Sequence, residues 1–133
     1  MSDLLAVIQG VSDREVTMSQ STLEIKKEER DGVTVVHLAG PVDSATIDTF
    51  KSKLSRIFRP KGSRIAIDAG ELTYMNSNAI GLLVSFRRTL YVNGGRLAFS
   101  GVSDRIQRSL QTMRVTQLKI CDTLEEAIDS VKA

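Results

Sequence analysis

From Thr22 onward the chain alternates short runs suited to a pleated strand with longer runs whose apolar residues return at helical spacing, and this alternation constrains the fold more than any other feature. "TLEIKKEE" opens with apolar and polar residues in turn, Asp31 and Gly32 supply a tight turn, and the β-branched "VTVVHLAG" follows, which predicts a two-stranded hairpin. After Gly40 and Pro41, Asp43 or Ser44 can cap a helix with apolar positions at Ala45, Ile47, Phe50, Leu54, Ile57 and Phe58, which should stop before Pro60 and Gly62. "RIAIDA", residues 64–69, reads as a short strand. A second helix carries Ala79, Leu83, Phe86 and Leu90 on one stripe and is terminated by Asn93, Gly94 and Gly95. "RLAFSG" is the next strand, Ser103 a cap, and Ile106, Leu110 and Met113 space a third helix. "LKIC" follows as a short strand. In "TLEE", Thr123 and Glu126 form a capping box for a last helix that buries Leu124, Ala127, Ile128 and Val131. The order ββαβαβαβα predicts an α/β fold with one mixed sheet, in which the hairpin contributes an antiparallel pair.

Length and charge narrow the partners. A chain of 133 residues, 41% of them hydrophobic, suits one domain with a real core. We expect the domain to span residues 21–133, with 1–20 as an N-terminal extension whose composition does not commit to a packed element. A net charge of +2, from 18 Lys and Arg against 16 Asp and Glu, steers the chain neither to nucleic acid nor to an anionic membrane, so another protein is the expected partner. The single cysteine, Cys121, permits no internal disulfide and suggests a reducing compartment, the cytoplasm. The apolar run "LLAVI" at 4–8 is too short to span a bilayer and has no basic segment ahead of it.

Catalytic chemistry is thinly supplied, and the expectation is a protein that is not an enzyme and has neither a metal nor a cofactor. His37 lies within a strand without an evident orienting partner, so a structural imidazole is the preferred reading over a general base. Cys121 reads as a small buried hydrophobe. Neither a GxxxxGK[ST] nor a GxGxxG pattern is present to cradle a nucleotide. Arg105, Arg108 and Arg114 read first as a solvated basic face, with recognition of carboxylate or phosphate as the alternative.

The polar cluster Asn76, Ser77 and Asn78 interrupts "YMNSNAIGLL" where the second helix begins. A short side-chain oxygen there can accept from backbone N–H groups that lack partners in the first turn, but capping accounts for one of the three. On physical grounds alone, Ser77 as a cap ranks ahead of Ser77 as a modification site. The functional alternative uses the same geometry: a phosphoryl group at a helix N-terminus meets free N–H donors, yet adds a charge of about −2 that can abolish a protein interface.

The segment "IAIDAGELTYMNSNAIGLLVSFRRTLYVNGGRLAFSGVSDRIQRSLQTMRV" resembles the STAS family, the domain shared by sulfate transporters and bacterial anti-sigma factor antagonists. "MNSNAIG" at 75–81 is similar to that family's loop of the type hydrophobic-Asp-Ser-Ser-Gly-Leu-Gly, and "LAGPVDSAT" at 38–46 is similar to its LxGxLD approach to the first helix. The resemblance implies a single STAS-like domain that binds a partner acting as both serine kinase and anti-sigma factor, with Ser77 as phosphoacceptor and a serine phosphatase resetting the cycle. It implies a partner surface comprising Asp43, Ser44, Asn76, Ser77, Asn78, Ala79 and Ile80. Asn76 stands where the family usually has Asp, Asn78 where it has a second Ser, and Ala79 where it has Gly. The alternative within the family is a scaffold module of a larger signalling assembly, in which Ser77 receives no phosphate.

Overall fold

The computed structural model describes residues 22–132, so the expectation for residues 1–20 lies outside the described residues. Five strands, β1 (Glu24–Arg30), β2 (Val33–Val42), β3 (Arg64–Met75), β4 (Arg96–Ser100) and β5 (Ile120–Cys121), lie side by side in chain order. Among the described residues four helices accompany them: α1 (Ile47–Ile57), α2 (Ser77–Val92), α3 (Asp104–Thr112) and α4 (Leu124–Lys132). β1 and β2 form the antiparallel hairpin; the pairs β2–β3, β3–β4 and β4–β5 are parallel, each joined through a helix. The hairpin turns at Asp31 and Gly32, whose φ values of 56° and 80° suit a two-residue turn matching the twist of the strands.

Strand alternation divides the apolar residues between two faces. On one face, Val36, Leu38, Ile65, Ile67, Leu97 and Phe99 pack beneath α1, α2 and α3, which contribute Phe50, Leu54, Leu83 and Ile106 among others. On the other, Val33, Val35, Ala66 and Ala98 receive Ala127, Ile128 and Val131 of α4. The small side chains at 66 and 98 let that single helix sit close to the sheet. The capping box starts α4 as the sequence predicts: Glu126 N–H donates to Thr123 Oγ1 at 3.1 Å, and Thr123 N–H donates to Glu126 Oε1 at 3.2 Å.

Several boundaries differ from expectation for identifiable reasons. β3 extends to Met75, well past residue 69. Along it the pairing with β2 shifts twice: His37 to Ala39 spans two residues where Asp68 to Glu71 spans three, and Gly40 to Pro41 spans one where Leu72 to Tyr74 spans two. Each shift places an extra residue in β3, so its apolar residues leave strict alternation and no longer announce a strand. α1 begins at Ile47, later than a cap at Asp43 or Ser44 would place it. Asp43 instead closes a turn, its carbonyl accepting from Thr46 and Ile47 N–H at 3.1 and 2.9 Å and its Oδ1 from Ala45 N–H at 3.0 Å. Ala45 is thereby exposed ahead of the helix. Met113 follows α3 as its C-cap and is 40% exposed, Leu124 is half-buried, and of "LKIC" only Ile120 and Cys121 join the sheet.

The end of the sheet that carries the site is tied to β1 through Gly40. Its φ is +99°, and a Cβ there would collide with the backbone carbonyl of Thr22. Gly40→Ala therefore strains the chain and separates β1 from β2: urea denaturation should show a loss of about 2 kcal/mol or more, whereas Gly81→Ala, on an exposed helical position with open space, should be neutral or stabilising.

Candidate functional site

Parallel strands deliver their following loops to one end of the sheet, where α/β folds commonly place ligand sites. Here β2 ends at Val42 and releases the Asp43 turn, and β3 ends at Met75 and releases Asn76. Asn76 N–H donates to the Val42 carbonyl at 3.0 Å, which holds the two loops against each other. The loop that carries Asp43 and Ser44 and the one that carries Asn76, Ser77 and Asn78 are thus held side by side.

The three polar residues divide their labour. Asn76 is in extended conformation (φ −80°, ψ 173°) and is the N-cap of α2: its Oδ1 accepts from Ala79 N–H at 2.9 Å, and its carbonyl accepts the helix's Ile80 N–H at 3.1 Å. Ser77 is therefore the first helical residue and not the cap. It is exposed, as is Asn78, and its hydroxyl makes no hydrogen bond to another described residue. The amides of Ser77 and Asn78 belong to the first turn, where no intrahelical acceptor exists. Ala79 and Ile80 are 0% and 1% exposed, so of the residues expected at the partner surface these two act from below, as the apolar anchor of the helix start. Ala79 sits in ordinary helical backbone with its methyl in the core, so glycine's freedom is not needed there.

Two features escaped sequence reading. An open groove runs from Ser77 to α3, lined by Tyr74, Arg105, Arg108 and Met113 among others. Tyr74 is 39% exposed and lies under the Arg105 guanidinium, 5.5 Å from ring centre to Cζ. The site therefore has an apolar and cationic side wall. The spacing of Arg105 and Arg108, three residues apart, places both on one helix face, but only the fold shows that this face meets Ser77.

The second feature is the pairing of His37, which the sequence left without a partner. Its Nδ1 lies 2.8 Å from Asp68 Oδ2 on β3 and its Nε2 2.6 Å from Glu28 Oε2 on β1. A neutral imidazole donates from one nitrogen only, so two carboxylate partners favour the imidazolium. Donation from His37 to the Glu28 carboxylate is the leading cause that raises the His37 pKa above its ordinary 6.5, with partial burial opposing and Asp68 assisting. The hydrogen bond from His37 leads in holding Glu28 below its ordinary 4.5. The carboxylates sit on opposite ring nitrogens, so the three groups do not converge on a point as metal ligands would, and among the described residues no group of three His, Cys, Asp or Glu side chains could hold a metal. This is a cross-strand clasp.

Two outcomes follow. Asn76→Ala should cost about 1 kcal/mol in urea denaturation and Asn76→Asp almost nothing, whereas Ser77→Ala should fall within about 0.5 kcal/mol of wild type; a larger loss at Ser77 would assign the cap wrongly. For the clasp, a raised His37 pKa gives stability that is complete below pH 6.5 and fades as pH rises through the folded value, while the depressed Glu28 pKa gives stability present above pH 4.5 and lost as pH falls through its folded value. The clasp is strongest between these limits. His37 is the only histidine, so the decline in urea midpoint above pH 6.5 should flatten in His37→Gln, and an unchanged slope would show that the imidazole does not carry it.

Comparison with known proteins bears on the family and the fold. A sequence model of the STAS domain matches residues 24–127. The anti-sigma-B factor antagonist of Listeria monocytogenes is 30% identical over 87 residues, covering 65% of this chain and 75% of that protein. Among solved structures, an anti-sigma factor antagonist from Mycobacterium paratuberculosis superposes with a TM-score of 0.77 at 17% identity, covering 88% of this chain and all of the other. The anti-sigma factor antagonist SpoIIAA, 24% identical, matches in its unphosphorylated form with a TM-score of 0.67 over 80% of this chain and 95% of that one, and in its phosphorylated Bacillus form with 0.62 over 80% and 98%. The solved structures share the α/β fold of the described residues, and the sequence matches identify the chain as a STAS domain protein of the anti-sigma factor antagonist family.

Proposed function

We propose that this protein is a non-catalytic regulator that binds an ATP-dependent serine kinase acting as an anti-sigma factor, and that phosphorylation of Ser77 switches the binding off. The observation that supports it best is the division of labour at the helix start: Asn76 performs the capping, so the Ser77 hydroxyl is exposed and unengaged, open to a modifying protein. In the transfer, Ser77 Oγ forms a bond to the γ-phosphorus of the partner's ATP as the bond to the ADP oxygen breaks, and the hydroxyl proton leaves to a base on the partner. The partner supplies the chemistry. This chain supplies the acceptor on a rigid helix start and a docking surface made by Asp43, Ser44, Asn76, Ser77 and Asn78, with Ala79 and Ile80 fixing it from beneath. A serine phosphatase restores the hydroxyl, and the cycle runs in the cytoplasm.

The amide groups of Ser77 and Asn78 and the positive end of the helix dipole tolerate the phosphate dianion, so its addition leaves the fold intact. A charge of about −2 in place of a neutral hydroxyl nevertheless imposes desolvation and repulsion on a surface that must be covered. That SpoIIAA, which shares the fold, has been solved in an unphosphorylated and a phosphorylated form supports a phosphorylation switch here.

In a pull-down from the native cell, Ser77→Ala should retain the partner and Ser77→Asp should weaken capture by at least about tenfold, roughly 1.4 kcal/mol. Incubation of wild type with that partner and ATP should add one phosphoryl group by intact mass, and Ser77→Ala should add none. Equal capture by both variants, with no mass increase in wild type, would favour a constitutive scaffold.

A further inference from the structure

We propose that Arg105 and Arg108 of α3 form a receptor, within the same molecule, for the phosphoryl group on Ser77. This rests on the phosphoacceptor reading above and specifies how the modified site is arranged.

Ser77, Arg105 and Arg108 line one open groove, together with the hydroxyl-bearing Ser109 and Thr112. Residues 105, 108, 109 and 112 follow helical spacing, so α3 presents two guanidinium groups and two hydroxyls on the side facing the start of α2. No Asp or Glu lines the groove among the described residues, and neither arginine forms an ion pair with a described residue. The groove is therefore a local concentration of two uncompensated cations on a chain whose net charge is only +2. Such charges side by side repel each other, and an anion placed between them relieves that repulsion. Arg105 is held over the Tyr74 ring, three residues before Ser77, which keeps its guanidinium beside the loop. Arginine's planar fork suits phosphate oxygens in paired hydrogen bonds.

The consequence for the switch is steric as well as electrostatic. A phosphate drawn onto α3 occupies the groove, covers part of the exposed Tyr74 and Met113 surface, and neutralises both cations at once. A partner that uses the groove loses an apolar wall and its charge complement together. The wall itself need not move.

The test installs phosphoserine at position 77 by genetic encoding, so that it does not depend on any kinase, and follows the 31P resonance against pH in 0.1 M salt. The midpoint should lie below the ordinary value of about 6 for phosphoserine and should rise by about half a unit or more in the Arg105→Gln/Arg108→Gln background. Arg105→Lys/Arg108→Lys should recover part of the shift, because charge remains while the fork is lost. Both arginines are exposed, so the thermal melt of the unphosphorylated double variant should overlay wild type; Arg108→Gln alone, which preserves the Arg105–Tyr74 stack, serves if it does not. An unchanged midpoint on removal of the arginines would overturn the receptor and assign any depression to the helix amides. Failure of the partner kinase to modify Ser77 would appear separately, as the absent mass increase, and would overturn the phosphoacceptor reading instead.

Discussion

The bond from Ala79 N–H to the side chain of Asn76 organises the site. It satisfies one donor of the first turn of α2 and fixes the residue at which the helix begins. With the cap assigned to position 76, position 77 falls on the outside of the first turn, while 79 and 80 fall on the inside, where the alanine methyl and the isoleucine side chain enter the core. An exposed hydroxyl and a rigid backbone are usually competing demands. Here they are met by neighbouring residues, one polar side chain turned to the helix and the next turned to solvent.

The scaffold makes the same separation on a larger scale. Among the described residues three helices on one face and one on the other leave the loops after β2 and β3 to meet at one end of the sheet, and the Asn76 to Val42 bond locks them together. The face covered by α4 at one end carries the Glu28–His37–Asp68 clasp beyond the helix, where three strands are joined by side chains instead of by a packed layer. Gly40 lets β1 approach closely at the site's end of the sheet. The proposed change of charge at Ser77 would thus fall on a surface supported by the Asn76 cap, the Asn76–Val42 backbone bond and buried apolar contacts.

Much of this was legible in the sequence because its signals are local. Asp31-Gly32, the Ser103 cap and the Thr123–Glu126 box each act over a few residues and are found where expected, and the helical stripes hold except at their ends, where Ala45 and Met113 fall outside the helices and Leu124 is half-buried. Capping could not be divided among Asn76, Ser77 and Asn78 by residue type, since all three side chains can accept the bond; the extended backbone at 76 decides it. The length of β3 was hidden because its two register shifts break alternation around Gly70 and Thr73. The partners of His37 lie 9 and 31 residues away and meet it only through strand pairing. The groove beside Ser77 likewise joins the end of β3 to α3, and Arg105 over Tyr74 is a contact of the fold.

The proposed switch changes a small surface and leaves the backbone beneath it in place. Backbone amide NMR spectra of the unmodified protein and of the protein phosphorylated on Ser77 test this most directly. Shifts should be confined to residues 74–80 and the facing side of α3, with the resonances of the β2–β4 core superimposed. Displacement of resonances throughout the sheet and α1, or loss of their dispersion, would contradict it.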